Sequence, residues 1–173
     1  MKGCRLVALV AVSALLWSAE GGVPGPWALR AGLAFGSDQV RTLVGDEGLY
    51  LGAGVILPRR GIVGRMGGDI DWRATIAGVD RFDALTATYI ERQPLSGGVY
   101  AGLGVGLSVI RIRQPTWVAA SLRPTAKGVI GATLPWKPPV HGTRVGVEAA
   151  GFLSDRLHGV ATHGIAIAAV VGF

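Results

Sequence analysis

The chain has little cysteine and little charge, and both shortages restrict what it can be. Cys4 is the only cysteine of the 173 residues, and it lies before the first apolar run. The part of the chain that follows can therefore hold neither a disulfide framework nor a cysteine metal site. Charged residues make up 16% of the chain, against about 25% in an average globular domain. A soluble domain of this size covers its surface with charge, and this sequence has too little for that.

The sequence also lacks long apolar helices, although it contains charge-free stretches. Residues 93–110 and 157–173 carry no Asp, Glu, Lys or Arg. A membrane-spanning helix needs about 20 predominantly apolar residues, whereas both stretches are shorter and alternate along their length. Glycine is abundant, at 28 residues, and each glycine disfavours a helix by about 1 kcal/mol relative to alanine. The composition therefore favours strands.

The first residues have the layout of a secretory signal peptide. Lys2 and Arg5 precede an uncharged, largely apolar run from Leu6 to Trp17, and small residues follow it. This run is too short to span a bilayer as a helix. We therefore predict a signal peptide at 1–19, with the cleavage position open as far as residue 22, and a mature domain at 27–173. An uncleaved N-terminal anchor is the alternative.

The mature part is a series of segments in which apolar residues recur at every second position. The clearest is 98–110, where Leu103, Val105 and Leu107 alternate with glycines. A period of two is the pattern of a strand with one apolar face. Connections after the second, fourth and sixth segments are short, and the others are longer, which is typical of an outer-membrane barrel. The eight predicted strands are 27–36, 47–57, 62–73, 83–92, 98–110, 124–134, 143–153 and 160–173.

Two architectures share this alternation. In a soluble lipocalin-like barrel the apolar face points inward, and in a membrane barrel it meets lipid. The second face favours the membrane barrel, because it is rich in glycine and alanine and poor in the Lys and Glu that a water-facing surface needs. Small residues suit the narrow interior of an eight-stranded barrel, where scattered charges can neutralise one another. The predicted interior charges are Arg30, Arg65, Asp69, Asp71, Arg73, Lys127, Arg144 and Glu148.

Aromatic residues fall near the predicted strand ends, as in the two aromatic belts of a membrane barrel. The lower belt, at the end where the mature chain begins, is predicted to contain Trp27, Tyr89, Tyr100, Trp136 and Phe173. The upper belt is predicted to contain Phe35, Tyr50, Trp72, Trp117 and Phe152.

The signal peptide, the stretch YAGLGVGL at 100–107 and the last strand ending in Phe173 together resemble the small eight-stranded outer-membrane barrels of the OmpA, OmpX and OmpW type. The resemblance implies an all-β fold, an eight-stranded antiparallel up-and-down transmembrane β-barrel, in a bacterial outer membrane. It also implies that Phe173 is part of the signal that the barrel assembly machinery recognises, since an exposed strand edge suits strand addition.

The residues best suited to catalysis are Ser154, Asp155 and His158, because some small outer-membrane barrels use Ser and His with an acid to modify lipids. These residue types can activate a hydroxyl nucleophile. Ser and Asp are also common in turns, which is the favoured interpretation, so no catalytic site is predicted. The sequence predicts no metal site, no cofactor and no nucleic-acid partner.

The predicted function is therefore a structural or surface-interaction role for a monomeric barrel in contact with outer-membrane lipid. Three alternatives stay open: a narrow small-solute channel, a lipid-modifying barrel enzyme, and a soluble lipocalin-like carrier of an apolar ligand. Basic residues near the lipid boundary are predicted to be solvated or to contact acidic lipid headgroups.

Overall fold

The computed structural model describes residues 26–135 and 142–173. Within them, each strand pairs antiparallel with its neighbours in sequence, and the first strand also pairs with the last, so the sheet closes on itself. The predicted eight-stranded up-and-down barrel fold is confirmed. The signal peptide predicted at 1–19 lies outside the described residues, as does Trp136. The strands are β1 (Trp27–Gly36), β2 (Gly48–Arg60), β3 (Arg65–Ala77), β4 (Asp80–Pro94), β5 (Val99–Gln114), β6 (Trp117–Thr133), β7 (Arg144–Ser154) and β8 (Gly164–Gly172).

The cross-strand register determines how far the strands tilt. Partners followed around the barrel from Thr133 of β6 lead back to β6 at Arg123, ten residues away. With a rise of about 3.3 Å per residue and a strand spacing of about 4.8 Å, this stagger gives a tilt of about 40°. A barrel of eight strands has an interior that side chains alone can fill.

The outward face of the barrel is apolar. Leu103 and Val105 of β5, for example, are 69% and 65% exposed. The outward residues of β5 from Ala101 to Val109 form a run that, at about 40° tilt, covers about 20 Å along the barrel axis, which is most of the ~25 Å apolar band of membrane barrels. We call this outward surface the apolar band. The lipocalin-like alternative needs the opposite orientation, so it does not fit the structure.

The two ends of the barrel differ. The lower end carries Trp27, Phe173 and the turns that join β2 to β3 and β4 to β5. The upper end carries the connections that were predicted to be long, and two of those predictions are wrong. β3 and β4 are joined by Gly78–Val79 alone, and β5 and β6 by Pro115–Thr116 alone. The chain stays extended there because the two hairpins share a buried inner face beyond the apolar band.

A short helix, α1 (Asp38–Val44), occupies the connection between β1 and β2. Ser37 caps its first turn, since the Ser37 hydroxyl accepts a hydrogen bond from the Val40 N–H at 3.3 Å. Val40 and Val44 lie one turn apart and are fully buried against the inner face of the hairpins. No helix among the described residues is long and apolar enough to cross a membrane. This upper cluster, here called the outer cap, comprises Val40, Val44, Phe82, Ala84, Ile110, Ile112, Ala119 and Leu157.

Candidate functional site

A group of buried charged side chains fills the middle of the barrel, below the outer cap. Together with Arg73, which lies slightly above them, they amount to four basic and three acidic residues, an interior net charge of +1 within the part of the chain that the structure describes. Charges buried this deeply are stable only when they are paired and hydrogen-bonded. We call the following six residues the ionic network: Arg30, Asp69, Asp71, Arg92, Lys127 and Glu148.

Lys127 connects opposite walls of the barrel. Its ammonium nitrogen lies 2.6 Å from Asp69 Oδ2 and 2.6 Å from Asp71 Oδ2. Lys127 is on β6 and both acids are on β3, so these bonds cross the lumen. Arg92 of β4 donates to the same Asp69 oxygen, also at 2.6 Å. Asp69 is therefore the centre on which two cations converge.

Arg30 and Glu148 form the second half of the ionic network. Arg30 Nε lies 2.7 Å from Glu148 Oε1, and Arg30 Nη1 lies 3.4 Å from Asp69 Oδ1. Tyr100 donates its hydroxyl hydrogen to Glu148 Oε2 at 2.8 Å, and Tyr50 donates to Asp71 Oδ1 at 2.6 Å. Each phenol thus binds the carboxylate oxygen that the nearest cation does not, and Arg92 Nη2 lies 3.9 Å from the Glu148 oxygen that Tyr100 binds.

Glycines on the inward phase of β2 and β6 provide the space for these side chains. A Cβ on Gly54 would lie 2.3 Å from Asp69 Oδ1, and one on Gly131 would lie 2.4 Å from the ring of Tyr100. Any larger residue at either position would displace the ionic network or its phenol. In the alternating sequence pattern the glycines therefore mark the inward face of the barrel wall, and the apolar residues between them mark the outward face.

Arg73 is the interior cation held differently. Its guanidinium carbon lies 4.1 Å from the ring centroid of Phe152, a cation–π contact. Two of its nitrogens are buried without a hydrogen-bond partner among the described residues, as are two each of Arg30 and Arg92. Unlike those two arginines, Arg73 makes no ion pair within the described part of the chain. The aromatic ring of Phe152 therefore stabilises the positive charge of Arg73, as carboxylates stabilise the charges of the other interior cations.

Of the eight charges predicted for the interior, the structure places six there, and two predictions are wrong. Arg65 and Arg144 follow the inward phase, but each is the first residue of its strand and is exposed at the lower rim. Arg92 was missed, although it is 1% exposed. Arg92 is in phase with the inward Thr88 and Ile90, so the strand phase could have predicted that it points inward. The residue lies at the end of its predicted strand, next to a turn.

The aromatic residues divide between the two faces. Trp27, Tyr89 and Phe173 are exposed on the outside toward the lower end, and Trp72 and Phe35 follow the outward phase higher up, half-buried. The remaining described members of the predicted belts do not lie on the outside. Tyr100, Tyr50 and Phe152 are fully buried inside, and Trp117 packs against the outer cap.

These belt predictions are wrong for one physical reason, namely the strand phase. Phe152 shares the phase of Glu148, and Tyr100 shares that of the inward glycines on β5. Proximity to a strand end decides depth along the barrel axis, whereas the phase decides which face a side chain occupies. The phase of these aromatic residues directs their side chains inward, where they contact the interior charges.

The three catalytic candidates lie at the end of β7, where Ser154 is the last residue, and in the connection that follows it. The Ser154 hydroxyl lies 2.9 Å from the Thr162 hydroxyl, and Asp155 Oδ1 accepts from the N–H of Arg156 at 2.7 Å. His158 is exposed in a left-handed turn, at φ 49°. Asp155 also lies 3.8 Å from Arg123 of β6. The described residues show no Ser–His–acid relay among the three candidates.

We expect the substitutions Ser154→Ala and His158→Ala to leave the acyl composition of envelope lipids unchanged. Both side chains are bound up in, or exposed on, a loop and do not activate each other. Mass spectrometry of lipids extracted from cells that express each variant tests this. A lipid species that disappears with either substitution, but not with His163→Ala in the same loop, would support the enzyme alternative.

Taken together, the fold and the buried charges define a closed eight-stranded antiparallel barrel with an apolar outer face and an ionic interior. The same fold is found in the crystal structure of Neisserial surface protein A (NspA), to which the chain is similar with a TM-score of 0.54 and 15% sequence identity. The match covers 88% of this chain and 99% of that one. No protein-family model and no curated protein matches the sequence.

Proposed function

We propose that the protein is an integral barrel of a bacterial outer membrane, monomeric, with a structural or surface-interaction role. The apolar band carries this proposal, because it covers most of the thickness of a membrane hydrocarbon core measured on barrels. The closed sheet adds to it, since every ladder hydrogen bond is made within the barrel and no strand edge meets lipid. The similarity to a surface protein supports the same assignment.

Insertion is proposed to begin at the last strand. β8 alternates apolar outward residues with small inward ones and leads to Phe173. The N–H of Phe173 donates to the carbonyl of Trp27 at 2.9 Å, so the strand stays paired to its last residue. Before the barrel closes, this edge is available for strand addition to the barrel assembly machinery.

A conducting channel is not favoured. The ionic network crosses the lumen at mid-height, and the outer cap covers the upper end above it. A filled interior gives the barrel rigidity and leaves its upper surface, formed by α1 and the two hairpins, as the part exposed to the surroundings. A surface-interaction role therefore fits the arrangement better than transport.

We expect the purified mature chain to migrate differently in SDS before and after heating, and to fractionate with outer membranes. A membrane barrel keeps its closed sheet in cold detergent, and boiling opens it.

The sharper test compares the stability of Val105→Arg, within the apolar band, with that of Val63→Arg, in the lower turn between β2 and β3. Both valines are exposed, but an arginine in the middle of the band should destabilise the inserted barrel by about 2–4 kcal/mol.

In a soluble protein both valine substitutions would be tolerated equally. Equal stability of the two variants, together with a chain that stays soluble without detergent and shows no mobility shift, would overturn the proposal.

A further inference from the structure

A recess of about 660 Å³ lies on the outside of the barrel between the tips of the two upper hairpins. Arg81 of β4 and Arg113 of β5 line it, and apolar residues of the flanking strands surround them. Four of its lining residues follow the outward phase of their strands and take no part in the ionic network, namely Ile76, Arg81, Arg113 and Val118.

The two arginines are direct cross-strand partners. Like charges placed opposite each other on one face of an antiparallel pair are destabilising, so the fold alone does not explain this arrangement. Arg111 lies on the same face two residues before Arg113, opposite Asp83. The carboxylate of Asp83 already binds Arg81 through two contacts, at 2.5 and 2.9 Å.

The recess is therefore strongly basic. The two arginines that line it, together with the neighbouring Arg111, face one carboxylate, that of Asp83, which leaves a local charge of +2. Within the residues that the structure describes, neither Arg111 nor Arg113 makes an ion pair. Guanidinium groups bind phosphate through two parallel hydrogen bonds, and a phosphate placed between Arg81 and Arg113 would turn their repulsion into attraction.

The position of the recess indicates where such a phosphate comes from. On β5 the outward residues of the apolar band end at Val109, and the next two outward residues are Arg111 and Arg113. Ile76 and Val118, on the strands that flank the arginines, are 63% and 56% exposed. A basic site directly above an apolar wall, with apolar flanks of its own, suits a molecule that has a phosphorylated head and acyl chains.

We infer that this recess binds the phosphorylated headgroup of a lipid in the leaflet at the upper end of the barrel, with Arg81 and Arg113 on the phosphate and Ile76 and Val118 against the start of the acyl chains. The inference rests on the proposed insertion in an outer membrane and adds a ligand class and a position. It assigns the upper rim of β4, β5 and β6 as the face that holds a lipid.

The test titrates the folded full-length mature barrel, in an uncharged detergent, with short-chain phosphatidic acid and follows the heating temperature at which its gel mobility shifts. We expect the lipid to raise this temperature for the wild type. Affinity should fall at least tenfold for Arg81→Gln/Arg113→Gln, and the matched pair Arg59→Gln/Arg60→Gln, exposed at the lower end, should behave as the wild type. Without lipid, Arg113→Gln alone should be at least as stable as the wild type, because it removes the repulsion.

Equal affinity of the two double variants would overturn the inference while leaving the proposed function intact, since both variants would still shift on heating. Inorganic phosphate that binds as tightly as the lipid and displaces it would overturn the assignment to a lipid and indicate a free-anion site. A wild type without any heat shift would instead contradict the proposed function, so the two failures are distinguishable.

Discussion

The substitution Asp69→Asn is expected to destabilise the barrel by about 3–5 kcal/mol, the range for removing one partner of a buried ion pair. Lys127 and Arg92 each donate a hydrogen bond to Asp69 Oδ2 at 2.6 Å, and Arg30 Nη1 lies 3.4 Å from Asp69 Oδ1. Its loss raises the interior charge from +1 to +2 among side chains that are at most 1% exposed to solvent. Urea titration of the folded barrel in lipid vesicles, followed by the gel shift, measures the free energy of unfolding.

The matched control is Asp46→Asn, which removes an exposed carboxylate that binds Arg41 at 3.0 Å. Exposed pairs contribute about 0–1 kcal/mol, so this variant should be nearly as stable as the wild type. The double variant Asp69→Asn/Lys127→Met restores the interior charge to +1, and we expect it to be more stable than the sum of the single effects predicts. If Asp69→Asn destabilises by under ~1 kcal/mol, the interior is solvated, and the narrow-channel alternative regains support.

The period of two made most of the barrel predictable from sequence. The segment 27–36 coincides with β1, and the other predicted strands overlap their counterparts in order. Because the apolar face of a strand is fixed by alternation, the outward direction of residues such as Leu103 followed as well. A one-residue error would have reversed every side chain, and no strand shows one.

Strand ends were less predictable, since alternation weakens where a strand leaves the apolar band. The stretch RIRQPTWV, at 111–118, fell in the connection between the predicted strands 98–110 and 124–134, with an earlier start of the second strand near Trp117 left open. In the structure Arg111 and Arg113 stay in phase on the outside, and Ile112 stays inside in the outer cap. The pattern continued, but the environment of its outer face had changed from apolar to basic.

The helix α1 gave almost no signal of its own. It has seven residues, and an isolated helix of that length is not stable in water. Its stability comes from docking Val40 and Val44 onto a surface built by β4, β5 and β6, and no local pattern reports that surface. Contacts made across the barrel, such as those of Lys127, were unpredictable for the same reason.

Because α1 is stable only when it is docked on the outer cap, a substitution that prevents docking should have a large effect. The substitution Val44→Asp should release α1 from the outer cap and speed trypsin cleavage after Arg41 by about 10- to 100-fold, which corresponds to the ~1.5–3 kcal/mol that burial of a valine contributes. Val44 is 1% exposed, and a buried carboxylate without a partner is so unfavourable that the helix undocks instead. Limited proteolysis of the folded barrel in detergent, with the cleavage site identified by mass spectrometry, measures the change.

Thr42→Asn is the matched control, since Thr42 is exposed in the middle of the same helix and its hydroxyl donates to the carbonyl of Asp38 at 2.8 Å. It changes the exposed face of the helix without placing a carboxylate beside the bond cleaved after Arg41, and it should leave the cleavage rate near that of the wild type. The heat shift should survive in both variants, because the ionic network and the apolar band hold the barrel without α1. Loss of the heat shift in Val44→Asp would mean that the outer cap and the barrel unfold as one unit. An unchanged cleavage rate would mean that other contacts hold α1, namely those of Ser37 and Gln39, whose side chains bind the loop between β7 and β8.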